Sequence, residues 1–268
     1  MPTEDFQISV VIPAYNESSR IGPTLQELDR YLGQLLTCEL VLVDDGSTDT
    51  TVQMAQSAVA HSRSLRVIRL NENQGKGAAV RAGILHSIGS SIFVVDADLP
   101  YRLDAFDKAL ESLESGAEVV IGARDHSLSE IDASYPRHRS IAGRLFSRIV
   151  NWQVPVRVFD TQCGFKAFRQ DVAKELFRPL QTRRYAYDIE LLLRARLAGR
   201  RVEMIPVKLA KQHGSRVRFF RDSIRMLQDL RRIRRMYLEG QLNPRLGDDD
   251  EVKLVQAKQV GMKNEKRH

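Results

Sequence analysis

The stretch Phe93-Val94-Val95-Asp96-Ala97-Asp98 joins an apolar run, typical of a buried strand, to two carboxylates separated by one small residue. An unpaired carboxylate inside a sheet is so unfavourable that it would become neutral. The two aspartates therefore belong at the carboxyl end of the strand, where open α/β sheets bind ligands. Oxygen ligands on a short loop suit Mg²⁺ or Mn²⁺ carrying a diphosphate, although a lone Asp-x-Asp is more often a solvated turn.

Two other predicted strands also end in polar residues. The run Leu40-Val41-Leu42-Val43 leads into Asp44-Asp45-Gly46-Ser47-Thr48-Asp49, where Gly46 permits a tight turn and a hydroxyl can cap the next helix. The run at 8–12 stops at Pro13 and opens into Ala14-Tyr15-Asn16-Glu17. Three polar strand ends on one edge of one sheet indicate a binding site.

The rest of the chain alternates between strand-like and helix-like segments. Strands are predicted at 8–12, 39–43, 65–70, 92–95, 118–121 and 202–205, and helices at 18–36, 49–60, 75–87, 102–114, 140–152 and 188–198. Such alternation predicts an α/β fold, with a mostly parallel, Rossmann-like sheet and helices on both faces. The 268 residues fit one main domain at 1–215, followed by a basic helical segment at 216–240 and a mobile charged tail at 241–268.

These motifs, in this order, resemble family 2 glycosyltransferases of the GT-A fold. Two later segments narrow the resemblance: Asp160-Thr161-Gln162-Cys163-Gly164-Phe165-Lys166 and Tyr187-Asp188-Ile189-Glu190-Leu191-Leu192. Both are similar to the subgroup that makes dolichyl- or polyprenyl-phosphate sugars, especially its glucosyltransferase and mannose synthase branch. The resemblance covers about residues 6–238.

The resemblance implies an inverting, metal-dependent hexosyltransferase that moves a sugar from a UDP- or GDP-sugar to a polyprenyl or dolichyl phosphate. Asp96 and Asp98 would hold Mg²⁺ or Mn²⁺, and Asp98, Asp188 and Arg124 would be catalytic. The residues implied to bind the nucleotide sugar are Pro13, Tyr15, Glu17, Asp44, Asp45, Lys76, Asp96 and Ala97. The residues implied to bind the acceptor phosphate are Gln162, Lys166 and Arg216. Glucose is the first expectation for the sugar, before mannose and N-acetylglucosamine.

The loop at 73–79 carries two glycines and opens a predicted helix, whose N-terminus favours anions. It matches neither a P-loop nor a dinucleotide fingerprint, and an ordinary helix start explains it as well. In the resembled family this segment lies beside the nucleotide, so Lys76 is a candidate contact for phosphate or base. Arg124 follows another strand, and its guanidinium could bind a phosphate through two hydrogen bonds.

Asp188 and Glu190 lie near a predicted helix start, where acidic residues often only complement the helix dipole. A phosphate monoester has a second pKa of about 6, so it is largely dianionic at pH 7 and needs no proton removed before it attacks. Asp188 would then orient the acceptor or a basic residue rather than act as a strong general base.

The net charge of +7 is concentrated in two segments. Residues 216–238 hold eight arginines against two aspartates, with apolar residues at steps of three or four, and 140–152 repeats this pattern. Both segments favour docking on an anionic membrane, unless their apolar faces pack on the sheet instead. No apolar run is long enough for a transmembrane helix, and two cysteines suit a reducing compartment. We therefore expect a cytoplasmic protein at the cytoplasmic face of a membrane, and a membrane-anchoring subunit is a possible partner.

Several other functions remain open from the residues alone. The main alternative is a family 2 glycosyltransferase with a soluble acceptor, and a nucleotidyltransferase or an inactive scaffold fits less well. The basic charge also raises nucleic-acid binding, but basicity is an electrostatic footprint and no base-stacking platform is evident. No nucleic acid partner is expected.

Overall fold

The structure, a computed structural model, describes residues 7–32, 37–59, 65–123, 150, 152–155, 163–208, 219–242 and 258–259. The described elements, in chain order, are β1 (Ile8–Ala14), α1 (Ile21–Leu32), β2 (Cys38–Asp44), α2 (Thr51–Ala58), β3 (Leu65–Arg69), α3 (Lys76–His86), β4 (Ser91–Val94), α4 (Asp104–Glu114), β5 (Val119–Ala123), β6 (Lys166–Arg169), α5 (Gln170–Phe177), α6 (Tyr187–Leu197), β7 (Val202–Pro206), α7 (Phe219–Leu238) and β8 (Lys258–Gln259).

One sheet contains all the described strands, in the order β7-β5-β6-β4-β1-β2-β3-β8. β1 lies at its centre and pairs in parallel with β2 and β4, with Ala14 opposite Asp44. All of β5 and nearly all of β1 are buried, so both faces of the sheet are covered. The α/β class and the mostly parallel sheet predicted from the sequence are confirmed.

Two strands run against the others. β6 lies between β4 and β5 and is antiparallel to both, while the two-residue β8 pairs antiparallel with β3. The sequence did not predict β6 or the α5 that follows it. β6 has only four residues, with a lysine and an arginine at its ends, so it shows too little apolar periodicity to be recognised.

Other predicted elements differ mainly at their ends. The helix predicted from 18 begins at Ile21, and the helix predicted at 188–198 is α6, one residue earlier. The helix predicted at 140–152 lies outside the described residues except for Val150 and Trp152. Leu242 is buried, and most of the tail predicted at 241–268 also lies outside the described residues.

A buried carboxylate closes the end of the sheet away from the polar strand ends. Oε1 of Glu39 accepts hydrogen bonds from Oγ of Ser9 at 2.5 Å and from the Ile88 amide at 2.7 Å. Its Oε2 lies 3.2 Å from Nη2 of Arg66. The charge is thus paired and hydrogen-bonded, as a buried carboxylate must be.

Helix α3 lies very close to the centre of the sheet at Gly83. A Cβ placed on Gly83 would lie 2.3 Å from Cγ1 of Val11 on β1 and 2.9 Å from Cγ2 of Val43 on β2. Glycine is a poor helix former, but here it allows the helix axis to approach the strands that carry the polar loops. Steric fit therefore outweighs helix propensity at this position.

We predict that Gly83→Ala lowers the free energy of unfolding by about 1–3 kcal/mol, because overpacking exceeds the gain in helix propensity. Gly22→Ala is the matched control, since a Cβ on that α1 glycine would lie an ordinary 3.7 Å from Cβ of Ala58. The control should be as stable as the wild type or more so. Urea unfolding measures both, and a Gly83→Ala midpoint equal to the wild type would contradict the steric argument.

Candidate active site

The loops after β1 and β2 are hydrogen-bonded to each other. The Asn16 amide donates to Oγ of Ser47 at 2.8 Å, and Oδ1 of Asn16 accepts from the Thr48 amide at 2.8 Å. Asn16 has a φ of 55°, a left-handed conformation that Asn tolerates better than most residues. Of the predicted nucleotide contacts in this loop, Tyr15 is exposed, and the Glu17 amide donates to Oγ1 of Thr51. Pro13 lies within β1.

The two aspartates at the end of β2 have different surroundings. Asp44 is fully buried, and its Oδ2 lies 3.2 Å from Nε of Arg69 on β3. The Asp45 carboxylate accepts hydrogen bonds from the amides of Gln74 at 2.7 Å and Gly75 at 2.8 Å. Burial raises the pKa of Asp45, and these two hydrogen bonds oppose the increase. Asp45 therefore holds the loop at 73–78, which we call the donor loop.

The glycines of the donor loop allow close contact with residues 179–184, which we call the backing loop. Gly75 has a φ of 103°, and a Cβ on it would lie 2.6 Å from the Arg183 carbonyl oxygen. A Cβ on Gly77 would lie 2.6 Å from the Thr182 carbonyl oxygen. The Ala78 amide donates to the Arg183 carbonyl at 3.0 Å. The donor loop is thus held between Asp45 on one side and the backing loop on the other.

Lys76 extends from the donor loop to the aspartates that follow β4. Its Nζ lies 2.5 Å from Oδ1 of Asp96. Burial alone would lower the pKa of Lys76, but the carboxylates of Asp96 and Asp188 outweigh it and raise that pKa. The Lys76 ammonium therefore stays charged and connects the donor loop to the end of β4.

Gly164 lies directly against Asp96. A Cβ on Gly164 would lie 2.0 Å from Oδ2 of Asp96, so any side chain there would displace the carboxylate. The Gly164 amide donates to Oη of Tyr101 at 2.9 Å, which fixes this backbone. The sequence motif contained Gly164 but gave no reason for it, because the contact joins segments far apart in the chain.

Asp98 is exposed to about the same degree as Asp96, with 30% and 28% of the side chains exposed respectively. Burial raises its pKa, and the nearby Asp96 raises it further, while Arg20 and Lys76 lower it. Nη1 of Arg20 lies 3.9 Å from Oδ2 of Asp98. Between the two aspartates, the Ala97 carbonyl accepts a hydrogen bond from Oγ1 of Thr24 at 2.8 Å. This contact ties the loop to α1.

Asp96 and Asp98 fit a divalent cation that shares its coordination with a ligand. Mg²⁺ is commonly bound by one or two carboxylates together with substrate phosphates. In the described part of the chain, no group of three or more His, Cys, Asp or Glu side chains is arranged to hold a metal ion. Burial and the nearby Asp96 both raise the pKa of Asp98, and a bound cation would favour its ionised form.

Asp188 and Lys166 form a buried pair beside these residues. Nζ of Lys166 lies 2.8 Å from Oδ1 of Asp188 and donates to the Cys163 carbonyl at 2.5 Å. Burial raises the pKa of Asp188, opposed by Lys166 and Lys76. Lys166 has no exposed surface to offer the acceptor phosphate, which is the role that the sequence predicts for it. In this arrangement it supports Asp188 instead.

The remaining predicted site residues, Arg124, Gln162 and Arg216, lie outside the described residues. Among the residues that the sequence reasoning missed, Arg20 and Tyr101 stand out. Each lies just outside a motif, but contacts a residue distant in sequence: Arg20 contacts Asp98, and Tyr101 contacts Gly164. These two contacts are evident only from the folded structure.

Helix α7 packs its apolar side on the protein. Leu230, Ile233 and Met236 are buried, and Nη2 of Arg232 donates to Oε1 of Gln181 at 3.3 Å. Among the side chains of this helix that the structure describes, the exposed arginines are Arg231, Arg232, Arg234 and Arg235. Packing, one of the two explanations open from the sequence, therefore accounts for this part of the apolar stripe. Within the described ranges, no helix is long and apolar enough to cross a membrane.

Comparison with known proteins identifies the family of this chain. Residues 9–177 match Glycosyl transferase family 2. The chain belongs to this family. It is 31% identical over 252 residues to a dolichyl-phosphate beta-glucosyltransferase of Dictyostelium discoideum, covering 89% of this chain and 77% of the relative. A human dolichyl-phosphate beta-glucosyltransferase is 34% identical over 249 residues, covering 87% of this chain and 76% of the relative.

Solved structures confirm the GT-A fold. Glucosyl-3-phosphoglycerate synthase from Mycobacterium tuberculosis, in complex with phosphoglyceric acid, superposes with a TM-score of 0.65 at 20% identity, covering 85% of this chain and 80% of that one. The same synthase with Mn²⁺, UDP-glucose and phosphoglyceric acid gives a TM-score of 0.64 at 19% identity, with the same coverage.

We predict that Lys76→Met moves the acidic limb of the kcat/KM profile to higher pH. Lys76 lowers the pKa of Asp98, so removing its charge raises that pKa, and the ionised carboxylate is lost at a higher pH. Lys76→Arg is the control and should keep the limb near its wild-type position. A Lys76→Met profile that falls in rate without moving its acidic limb would contradict this assignment.

Proposed function

We propose that this protein transfers glucose from a nucleotide sugar to dolichyl or polyprenyl phosphate, with mannose as the second candidate sugar. The observation that carries the proposal is the similarity to dolichyl-phosphate beta-glucosyltransferases over most of the chain. In this proposal, Asp96 and Asp98 hold the metal and Lys76 binds the diphosphate. UDP is the favoured nucleotide over GDP, because a neighbouring structure holds UDP-glucose.

In this proposal, the nucleotide sugar lies along the carboxyl edge of β1, β2 and β4, which is where sheets of this kind bind ligands. The donor loop covers one side of it, and Lys76 faces the diphosphate. The proposed contacts are Pro13, Tyr15, Glu17, Asp44, Asp45, Lys76, Asp96 and Ala97. Because Asp45 already anchors the donor loop through two amides, base or ribose would use its remaining lone pairs.

The proposed metal is Mg²⁺ or Mn²⁺, held by Asp98 and Asp96. When bound, such a cation stabilises negative charge on a departing nucleoside diphosphate. Structures of the mycobacterial synthase with UDP contain Mn²⁺ or Mg²⁺, which supports this choice. The chain's own contribution is to hold Asp96 in place through Lys76 and Gly164.

The acceptor phosphate attacks the anomeric carbon as a dianion, on the face opposite the leaving group. One phosphate oxygen forms the new bond as the bond to the nucleoside diphosphate breaks, so an α-linked donor gives a β-linked product. No proton must be removed from the nucleophile. The burial of Asp188 against Lys166 fits a positioning role, since a general base must reach the proton it abstracts. Arg124, Gln162 and Arg216 are the proposed contacts of the acceptor phosphate.

We also propose that the protein binds the cytoplasmic face of a membrane peripherally, where a lipid acceptor is found. The exposed arginines of α7, appended to a catalytic domain at 1–215, would contact anionic lipid head groups. Because Leu230 and Ile233 are buried on the protein, this contact would be mainly electrostatic and would weaken with salt. A membrane-anchoring subunit would strengthen it.

We predict that a short-chain polyprenyl phosphate is glycosylated by UDP-glucose while the matching polyprenol is not. Asp188→Asn should keep measurable activity, because no hydroxyl needs deprotonation. Chromatography of the glycosylated lipid and of the released nucleotide measures both results, and a screen of UDP- and GDP-sugars identifies the donor.

The opposite outcomes are equally informative. Preference for the polyprenol would make Asp188 a general base. Transfer to phosphoglyceric acid in place of the lipid would favour a soluble acceptor, the second candidate function, which the bound phosphoglyceric acid of the structural neighbours suggests.

For the metal, we predict that EDTA abolishes turnover and that added Mg²⁺ or Mn²⁺ restores it. Asp98→Ala should reduce the rate by at least ~100-fold, the usual scale for losing one strong electrostatic stabiliser. Glu118→Gln, distant in the fold at the start of β5, should show wild-type rates. Full activity in EDTA would rule out the proposed cation.

A further inference from the structure

Glu190 and Arg194 form an ion pair that none of the proposed substrate contacts uses. They lie one turn apart on α6, with Nε of Arg194 2.8 Å from Oε1 of Glu190, and neither side chain is exposed. A buried pair often adds little stability compared with apolar residues of similar volume. A stabilising role alone therefore does not explain why two charges lie here.

Most hydrogen bonds of this pair go to the backing loop, and Nη1 of Arg194 also donates to the Leu242 carbonyl at 3.3 Å. The Glu190 carboxylate accepts from the amide of Gln181 at 3.0 Å and from that of Thr182 at 2.7 Å. Nη2 of Arg194 donates to the Pro179 carbonyl at 3.0 Å. Apolar residues could fill this volume, but they could not fix the direction of two amides and a carbonyl.

The backing loop in turn supports the donor loop through backbone contacts. The Thr182 carbonyl oxygen lies 2.6 Å from where a Cβ on Gly77 would be, and the Arg183 carbonyl oxygen lies 2.6 Å from where a Cβ on Gly75 would be. The Arg183 carbonyl also accepts a hydrogen bond from the Ala78 amide. A continuous series of contacts therefore leads from Glu190 through Thr182 to the donor loop. It ends at the Lys76 ammonium, 2.5 Å from Asp96.

We propose that Glu190 and Arg194 are positioning residues for donor binding. By fixing the backing loop, they hold the donor loop at the distance where Lys76 reaches both Asp96 and the diphosphate. This inference rests on the proposed binding of a nucleotide sugar. It assigns a role in the reaction to a pair that touches no substrate.

The decisive variant replaces both charges, Glu190→Leu with Arg194→Met, because an apolar pair keeps the volume without leaving an unpaired charge. Glu190→Gln is the second variant, since it retains one acceptor oxygen and nearly the same shape. Glu118→Gln is the matched control. It disturbs another carboxylate that accepts from an arginine and from a backbone amide, in contacts away from both loops.

Two measurements separate positioning from stability. Titration with UDP and GDP should show about tenfold weaker binding in both test variants, a common size for residues that act on a site without touching the ligand. The donor KM should rise more than kcat falls. Trypsin should cleave faster after Arg183 and Arg184, which are exposed in the backing loop. The control should match the wild type in both measurements.

Each result has one meaning. Wild-type affinity and wild-type cleavage in either folded variant would overturn the inference. If the double variant does not fold, Glu190→Gln decides by the same two measurements. If the wild type binds neither UDP nor GDP, the proposed function fails, while accelerated cleavage would still show that Glu190 anchors the backing loop.

Discussion

The need to pair carboxylates at the edge of a largely dry sheet organises this molecule. Asp44 forms an ion pair with Arg69, and Asp96 forms one with Lys76. Asp45 accepts hydrogen bonds from two amides of the donor loop. Asp44 and Asp45 are buried, so either carboxylate would be strongly unfavourable without its partners. Because each partner comes from a different strand or loop, satisfying the charges also determines how the loops sit relative to one another.

Within the part of the chain that the structure describes, the cations nearest Asp96, Asp98 and Asp188 are paired with these aspartates. Lys76, Lys166 and Arg20 each lie within 4 Å of an aspartate. A diphosphate arriving here would have to share these cations or bring one with it. The pKa of Asp98 is raised, because burial and the negative charge of Asp96 both disfavour its ionised form. These charges support the proposed metal.

The sequence predicted the strands with long apolar runs and the polar residues at their ends, because both signals are local. It also predicted the α/β class from the alternation of elements. It missed β6, where four residues carry no periodic signal, and the contact of Gly164 with Asp96, which joins distant segments. Lys166 lies in the motif at 160–166, yet it is buried because β6 lies inside the sheet. Packing between segments distant in sequence, and not the local composition, determines the burial and contacts of such residues.

The position of β6 also has a consequence for the order in which the chain can fold. Among the described strands, β5 pairs with β6 and β7, both of which follow it in sequence, so neither partner is present when β5 leaves the ribosome. At ordinary rates of synthesis, residues 124–165 take on the order of seconds to appear. During that interval the four parallel strands β1 to β4 can associate, while β5 and the outer edge of β4 stay unpaired. Nascent chains of this topology therefore expose one unpaired strand and an open edge of β4, which a chaperone could shield.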